Sequence, residues 1–200
     1  MTLLEALELS PLDRVALIGG GGKTTVLYQL GREARERGWP VVLSTTTRMA
    51  APSQDEALWA VPAEPGKLQG PGMEALEGVQ DRLLVVEADG SRGLPLKGHA
   101  PHEPVLLAST TALVVVAGVS ALGQPLDQVA HRPELLAARL GCALSQVVDE
   151  ELFLRALSLM GPGAAPVLNQ ADDPLLGRRL ARKLGRPCVI RGRWGQERIS

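Results

Sequence analysis

The run Gly19-Gly20-Gly21-Gly22-Lys23-Thr24-Thr25 constrains what this chain can fold into more than any other feature. Glycine in regular structure costs roughly 0.5–1 kcal/mol relative to alanine, so four in a row point to a backbone that turns where side chains cannot follow. An apolar run, Val15 to Ile18, leads into the glycines. Beyond them Val26, Leu27, Leu30 and Ala34 recur at helical spacing over Lys23 to Arg37. The order is strand, loop, helix. Such a turn aims backbone NH groups and the positive end of a helix dipole at one point, where an anion binds. Lys23 can meet the β- and γ-phosphates of a nucleotide, and the Thr24 hydroxyl can ligate magnesium. Gly19, Gly20, Gly21, Gly22, Lys23, Thr24 and Thr25 are therefore the expected phosphate-binding residues. The general pattern GxxxxGK[ST] would put its first glycine at position 17, where Leu17 stands. The loop is expected either to begin nearer Gly19 or to wrap phosphate less completely, which favours binding over efficient hydrolysis.

The remaining periodicity extends this βαβ beginning. Gly38 and Pro40 close the first helix and introduce a β-branched strand, Val41 to Thr45. From Met49 to Gln80 prolines and glycines weaken the pattern, leaving a short strand at Leu58–Val61 and a helix near Met73–Val79. Arg82–Glu87 and Ala112–Ala117 are continuous apolar runs, as in strands buried on both faces of a parallel sheet. Helices are expected at Pro133–Leu140, Asp149–Leu159 and Pro174–Leu184, with strands at Ala165–Leu168 and Pro187–Ile190; the polar tail Arg191–Ser200 is expected to fray. Alternating strands and helices imply a three-layer α/β fold, P-loop NTPase-like, with a mostly parallel sheet, in one domain spanning 1–200.

Ligands of an open parallel sheet bind beyond the carboxyl ends of its strands, so the residues after each strand are the next candidates. The second strand ends in Thr45-Thr46-Thr47-Arg48, where Thr46 can orient magnesium or its water and Arg48 can offset phosphate charge. RLLVVE runs into Glu87-Ala88-Asp89, an apolar strand ending in acids as in a Walker B element; Glu87 and Asp89 are candidate catalytic acids and magnesium ligands. Asn169-Gln170-Ala171-Asp172 lies close to the NKxD element of guanine-binding P-loop proteins, with Gln170 in place of lysine, which makes Asn169 and Asp172 candidate base readers. A helix-capping turn before Pro174 explains the same residues without a ligand. The segment Gly90 to Glu103 carries Arg92, Lys97, His99, His102 and Glu103, a loop able to receive an anionic client or to serve only as ordered surface.

Composition excludes more than it selects. With 21 basic and 22 acidic residues and a net charge of −1, the chain has no broad footprint for nucleic acid or an anionic membrane. No apolar run approaches the roughly 18–20 residues that span a bilayer, and no basic leader opens the chain. The two cysteines, Cys142 and Cys188, form neither a disulfide framework nor a CxxC pair, so a reducing cytoplasm is the expected compartment. His99, His102, Glu103 and Cys142 show no tight metal-ligand spacing. Cys188 is expected to be a small core residue.

Taken together, IGGGGKTT, STTTRM, VVEADGSRGLPLK, HEP, HRPE and LNQAD resemble the YqeC family, described as accessory proteins of selenium-dependent molybdenum hydroxylases. The resemblance runs from Leu3 to about Asp172. It implies a nucleotide-dependent step in maturing a molybdenum- or selenium-containing enzyme, with magnesium and ATP or GTP as cofactors and a molybdenum hydroxylase or its cofactor as client; Arg48, Arg92, Lys97, His102 and Glu103 become the candidate client-facing residues. EADG is also similar to the E-x-x-G strand end of metallochaperone GTPases. A homodimer is common among related accessory proteins. Two other functions fit the same motifs: a small-molecule kinase or ligase, and a nucleotide-sensing or cofactor-carrier module that binds without hydrolysing.

Overall fold

The computed structural model describes residues 1–50 and 58–200. Helix α1 (Leu3–Ala6) is followed by β1 (Arg14–Gly19), α2 (Lys23–Glu36), β2 (Val41–Thr45), β3 (Arg48–Ala50), β4 (Val61–Glu64), β5 (Lys67–Gln69), α3 (Met73–Glu77) and β6 (Leu83–Glu87). Next come β7 (Leu96–Lys97), β8 (Ala112–Gly118), α4 (Leu126–Val129), β9 (Ala130–His131), α5 (Pro133–Leu140), α6 (Glu150–Met160), β10 (Ala165–Asn169), α7 (Pro174–Leu184), β11 (Cys188–Gly192) and β12 (Gly195–Ile199).

Seven strands form the central sheet in the order β12-β11-β10-β8-β1-β6-β2. Every neighbouring pair is parallel except β11 with β12. This is the mostly parallel α/β sheet expected from the apolar runs. Side-chain alternation along the strands divides the core between two layers. Val15 and Leu17 of β1, with Val114 and Val116 of β8, pack with Leu3, Leu4, Val26, Leu27 and Leu30 of α1 and α2. Ala16 and Ile18, with Val115 and Ala117, pack instead with Leu136, Phe153, Leu157 and Leu180 of α5, α6 and α7. Leu84 and Val86 of β6 meet Leu76 of α3 on that second side. Two covered faces explain why the strands read as unbroken apolar runs.

The helix ends follow their local chemistry. Asp149 caps α6 by accepting from the Leu152 amide at 2.8 Å, and Asp173 caps α7 by accepting from Leu175 at 2.9 Å with Pro174 in the first turn. Gly38 ends α2 at a φ of 71°, as its position suggests.

Two expectations change. The strand at Leu58–Val61 begins instead at Val61 and pairs with β5 in a small antiparallel sheet, β3-β5-β4, whose alternate residues are too polar to read as strand. Part of the weakly patterned stretch, including Pro52, lies outside the described residues. The tail does not fray: β12 closes a hairpin on β11 through Gly195 at a φ of 122°. It is held there by Gln196 donating to Met1 O at 2.9 Å and by the Arg198–Glu8 ion pair. A polar strand pinned by side chains from elsewhere in the chain leaves no periodicity to detect. The two-residue parallel pair β7–β9, which sets Lys97 beside His131, was also beyond sequence patterning.

Candidate functional site

The glycine run forms the turn between β1 and α2 at the center of the sheet. Gly19, Gly21 and Gly22 have φ of 96°, 67° and 98°, left-handed values that strain any side-chain-bearing residue. The loop begins at Gly19, one of the two alternatives that Leu17 left open, and Leu17 itself lies within β1. Neighbouring backbone encloses it: a Cβ on Gly20 would lie 2.5 Å from Pro95 O, and one on Gly21 only 2.1 Å from Gly118 N.

This packing determines which amides can face a ligand. Gly19 N donates to Asp89 Oδ2 at 2.8 Å, Gly20 N to Val116 O at 2.9 Å, and Gly21 N to Leu94 O at 2.9 Å. The first three loop amides therefore hold the fold together. The Gly22, Lys23 and Thr24 amides have no acceptor within the described residues, as expected at the start of a helix without a side-chain cap. Those three NH groups and the positive end of the dipole of the 14-residue α2 meet at one point, an arrangement that can hold an anion.

Acids and cations surround it. Lys23 is 2 % exposed; its Nζ donates to Gly19 O at 2.6 Å and lies 2.9 Å from Asp89 Oδ1 and 3.8 Å from Glu87 Oε1. The approach to Asp89 Oδ1 is an ion pair without hydrogen-bond alignment, so that buried oxygen has no donor of its own. Thr24 Oγ1 donates to Glu87 Oε2 at 2.8 Å. Burial raises the pKa of Glu87 despite Lys23 and the Thr24 hydrogen bond. Asp89 behaves oppositely: burial would raise it, but the hydrogen bond with His99, the charges of Lys23 and Lys97, and the Gly19 amide together bring it down to about 2.

Asp89 also links the loop to the segment after β6. Lys97 Nζ, wholly buried, lies 4.0 Å from Asp89 Oδ2 and donates to Gly90 O and to Glu103 Oε1, the latter at 2.9 Å. Glu103 accepts in turn from Arg132 Nη1 and from the Ala100 amide. Burial lowers the Lys97 pKa against the pull of Asp89 and Glu103. That of Glu103 falls because Lys97, the Ala100 amide and Arg132 outweigh its desolvation. His131 is lowered by burial and by the neighbouring Lys97, Arg132 and Arg92 charges.

The remaining candidates divide. Thr45 and Thr46 tie the end of β2 to its neighbours: Thr45 Oγ1 donates to Glu87 O at 2.9 Å and Thr46 Oγ1 to Val105 O at 2.7 Å. Thr46 thus has its hydroxyl proton engaged by the chain. Arg48 pairs with Glu64 on the small sheet, with 61 % of its side chain exposed, and does not turn toward the loop. Arg92 and His102 are exposed on the segment after β6, whereas Lys97 and Glu103 are locked in the ion-pair network. Among the described residues no group of three or more His, Cys, Asp or Glu side chains converges to hold a metal.

At the other flank Asn169 is 3 % exposed and fully engaged: its Nδ2 donates to Gly21 O at 2.6 Å and its Oδ1 accepts from Arg191 Nη1 at 2.7 Å. It props the loop through both of its amide heavy atoms. Asp172 accepts from the Arg193 amide at 3.0 Å and pairs with Arg193 Nε at 2.8 Å, at the mouth of an open cleft of about 460 Å³. Gly22, Thr25, Gln170 and Arg191 also line that cleft. Sequence reasoning placed His99 only within the loop able to receive an anionic client, and assigned no site role to Arg132 or Arg191. Arg132 stood within the HRPE motif, but nothing in the sequence paired it with Glu103; Arg191 was hidden in the tail expected to fray.

No helix of the described residues is long and apolar enough to cross a membrane. No solved structure matches the chain. The uncharacterized protein YqeC of Escherichia coli (strain K12) is 31 % identical to it over 137 residues, an alignment covering 54 % of this chain and 53 % of that protein. The chain thus spans about half the length of this curated relative. The YqeC protein family matches residues 15–134, which include the glycine loop, both acids and the network through Arg132 but stop short of Asn169 and Asp172. With more than half of its length matched in this way, the chain belongs to the YqeC family.

Proposed function

We propose that this protein binds a nucleoside triphosphate with magnesium on the Gly19–Thr25 loop and hydrolyses it slowly, as an accessory to the maturation of a molybdenum- or selenium-dependent hydroxylase. The observation that carries the nucleotide reading is the set of three partnerless amides at Gly22, Lys23 and Thr24, beside a lysine already clamped at the loop. The client part rests on family resemblance alone.

The residues fit magnesium. It is a hard cation usually bound by one or two carboxylates together with substrate phosphate. Thr24 Oγ1 and Glu87 Oε2 offer oxygens 2.8 Å apart, and a buried carboxylate with a raised pKa gains from a cation beside it. Thr24 and Glu87 would hold the ion, and Asp89 would hold Lys23. Bound there, magnesium supplies positive charge against the phosphate oxygens. The chain itself orients them: the three amides fix their position, and Lys23, which has two protons beyond the one given to Gly19 O, offsets their charge.

A phosphotransferase is the second reading, favoured by the exposure of Arg92 near His131 and Arg132, where an anionic acceptor would meet positive charge. Binding of MgATP and MgGTP, followed by phosphate release with and without candidate acceptors, tests both readings. Lys23→Ala should weaken binding roughly 10- to 100-fold, the worth of one charge-assisted hydrogen bond. Glu87→Gln should abolish the magnesium dependence. Failure of the wild-type protein to bind either nucleotide with magnesium defeats the proposal.

A further inference from the structure

The Arg191 guanidinium is the unexplained group of the site. It lines the cleft beside Gly22 and Thr25. Two of its five donors are used, Nε to Gln29 Oε1 at 2.6 Å and Nη1 to Asn169 Oδ1 at 2.7 Å, both neutral amide oxygens. No carboxylate among the described residues pairs with it. Glu33, the acid whose charge acts on it, is taken by Gln29 Nε2 at 2.8 Å and by the Leu4 amide at 2.9 Å. Burial and the charge of Arg32 both disfavour the Arg191 cation. A partly buried cation held in a fixed orientation without a counterion, at the wall of an open cleft, is arranged for an anionic ligand.

Sheet order says which anion. Glu87 ends β6 on one side of β1, whereas Arg191 lies on β11 beyond β8 and β10 on the other. The two are joined across the loop, because Asn169 bonds Arg191 with one amide atom and Gly21 O with the other. A triphosphate whose terminal phosphate faces Lys23 and Glu87 therefore runs along the start of α2 toward the cleft. Its last anionic group before the nucleoside is the α-phosphate.

We propose that Arg191 binds the α-phosphate of the nucleotide, the cleft between the loop and the β10–β11 strand ends receiving the nucleoside. This rests on the loop holding a nucleoside triphosphate, and it adds a positioning residue outside the phosphate-loop motif. Arg191→Gln removes the charge while leaving an amide able to donate to Asn169.

The test is a cycle between this substitution and the ligand, using the tighter of MgATP and MgGTP and its analogue with one α-oxygen replaced by methyl. Wild-type protein should lose about tenfold or more in affinity on going to the methyl analogue. Arg191→Gln should bind the natural nucleotide at least tenfold more weakly and show little further loss with the analogue. If wild-type protein binds nucleotide but the effects of Arg191→Gln and the methyl group are independent, Arg191 acts only through the loop and this inference fails while the nucleotide reading stands. If wild-type protein binds neither nucleotide, both fall.

Discussion

Asp89→Asn probes the network on which the site is built. Asp89 is wholly buried, and its carboxylate faces Lys23 at 2.9 Å, Lys97 at 4.0 Å, His99 and the Gly19 amide. Asparagine keeps the shape but removes the charge. Lys23 is then left with only Glu87 at 3.8 Å, while Lys97 keeps Glu103 at 2.9 Å. Removing one partner from a buried ion pair costs about 3–5 kcal/mol, because the other charge stays desolvated. For a domain of this size that lowers Tm by roughly 6–20 °C. Protonation gives an independent handle. The folded-state pKa of Asp89 lies at about 2 against an ordinary 3.8, so its stabilisation, about 2 kcal/mol, is complete above 3.8 and disappears as the pH falls through about 2. Urea unfolding followed by circular dichroism, from pH 7 down to pH 2, should show a less stable variant whose deficit narrows over that acid range. A variant within 1 kcal/mol of wild type at pH 7, or a deficit that stays constant down to pH 2, would refute the assignment of Asp89 as the charge that holds Lys23 and Lys97.

Gly21→Ala places a Cβ 2.1 Å from Gly118 N at a φ of 67°. It should cost at least ~2 kcal/mol in chemical denaturation, because neither the strain nor the backbone contact can relax cheaply. Burial pushes the Cys188 thiol up to about 11, so at pH 8 it should resist a thiol reagent until the protein is unfolded; labelling of Cys188 in the native state, mapped by mass spectrometry, would contradict its place in the core. Asn169→Ala should weaken triphosphate binding by loosening the loop without changing the preference between ATP and GTP, since both amide atoms are engaged by the protein. A shifted preference in competition binding would return Asn169 to the role of base reader.

Much of the fold could be read from periodicity because the central strands β1, β6 and β8 are covered on both faces and so appear as continuous apolar runs. The glycine loop was equally legible, since its residue types answer a local steric demand. What escaped lies where contacts are distant in sequence. β12 is polar and depends on Glu8, Met1 and Gln29 for its anchoring. The pairing of Lys97 with Asp89 and of Glu103 with Arg132 appears only once the segment after β6 folds back over the loop. Asn169 shows a further gap: its position after a strand suggested a base reader, but the fold engages its amide as a prop. Local pattern identified the polar residue without its partners.

The central claim, that a nucleotide's phosphates sit on the helix-end amides, is tested most directly by amide chemical shifts from nuclear magnetic resonance during titration with MgATP and MgGTP. Saturable, large shifts are expected at Gly22, Lys23 and Thr24, whose amides have no partner, with smaller ones at Gly20 and Gly21, whose amides remain bonded to Val116 O and Leu94 O. Saturation without movement at Gly22 to Thr24, or no response to either nucleotide, would contradict the account.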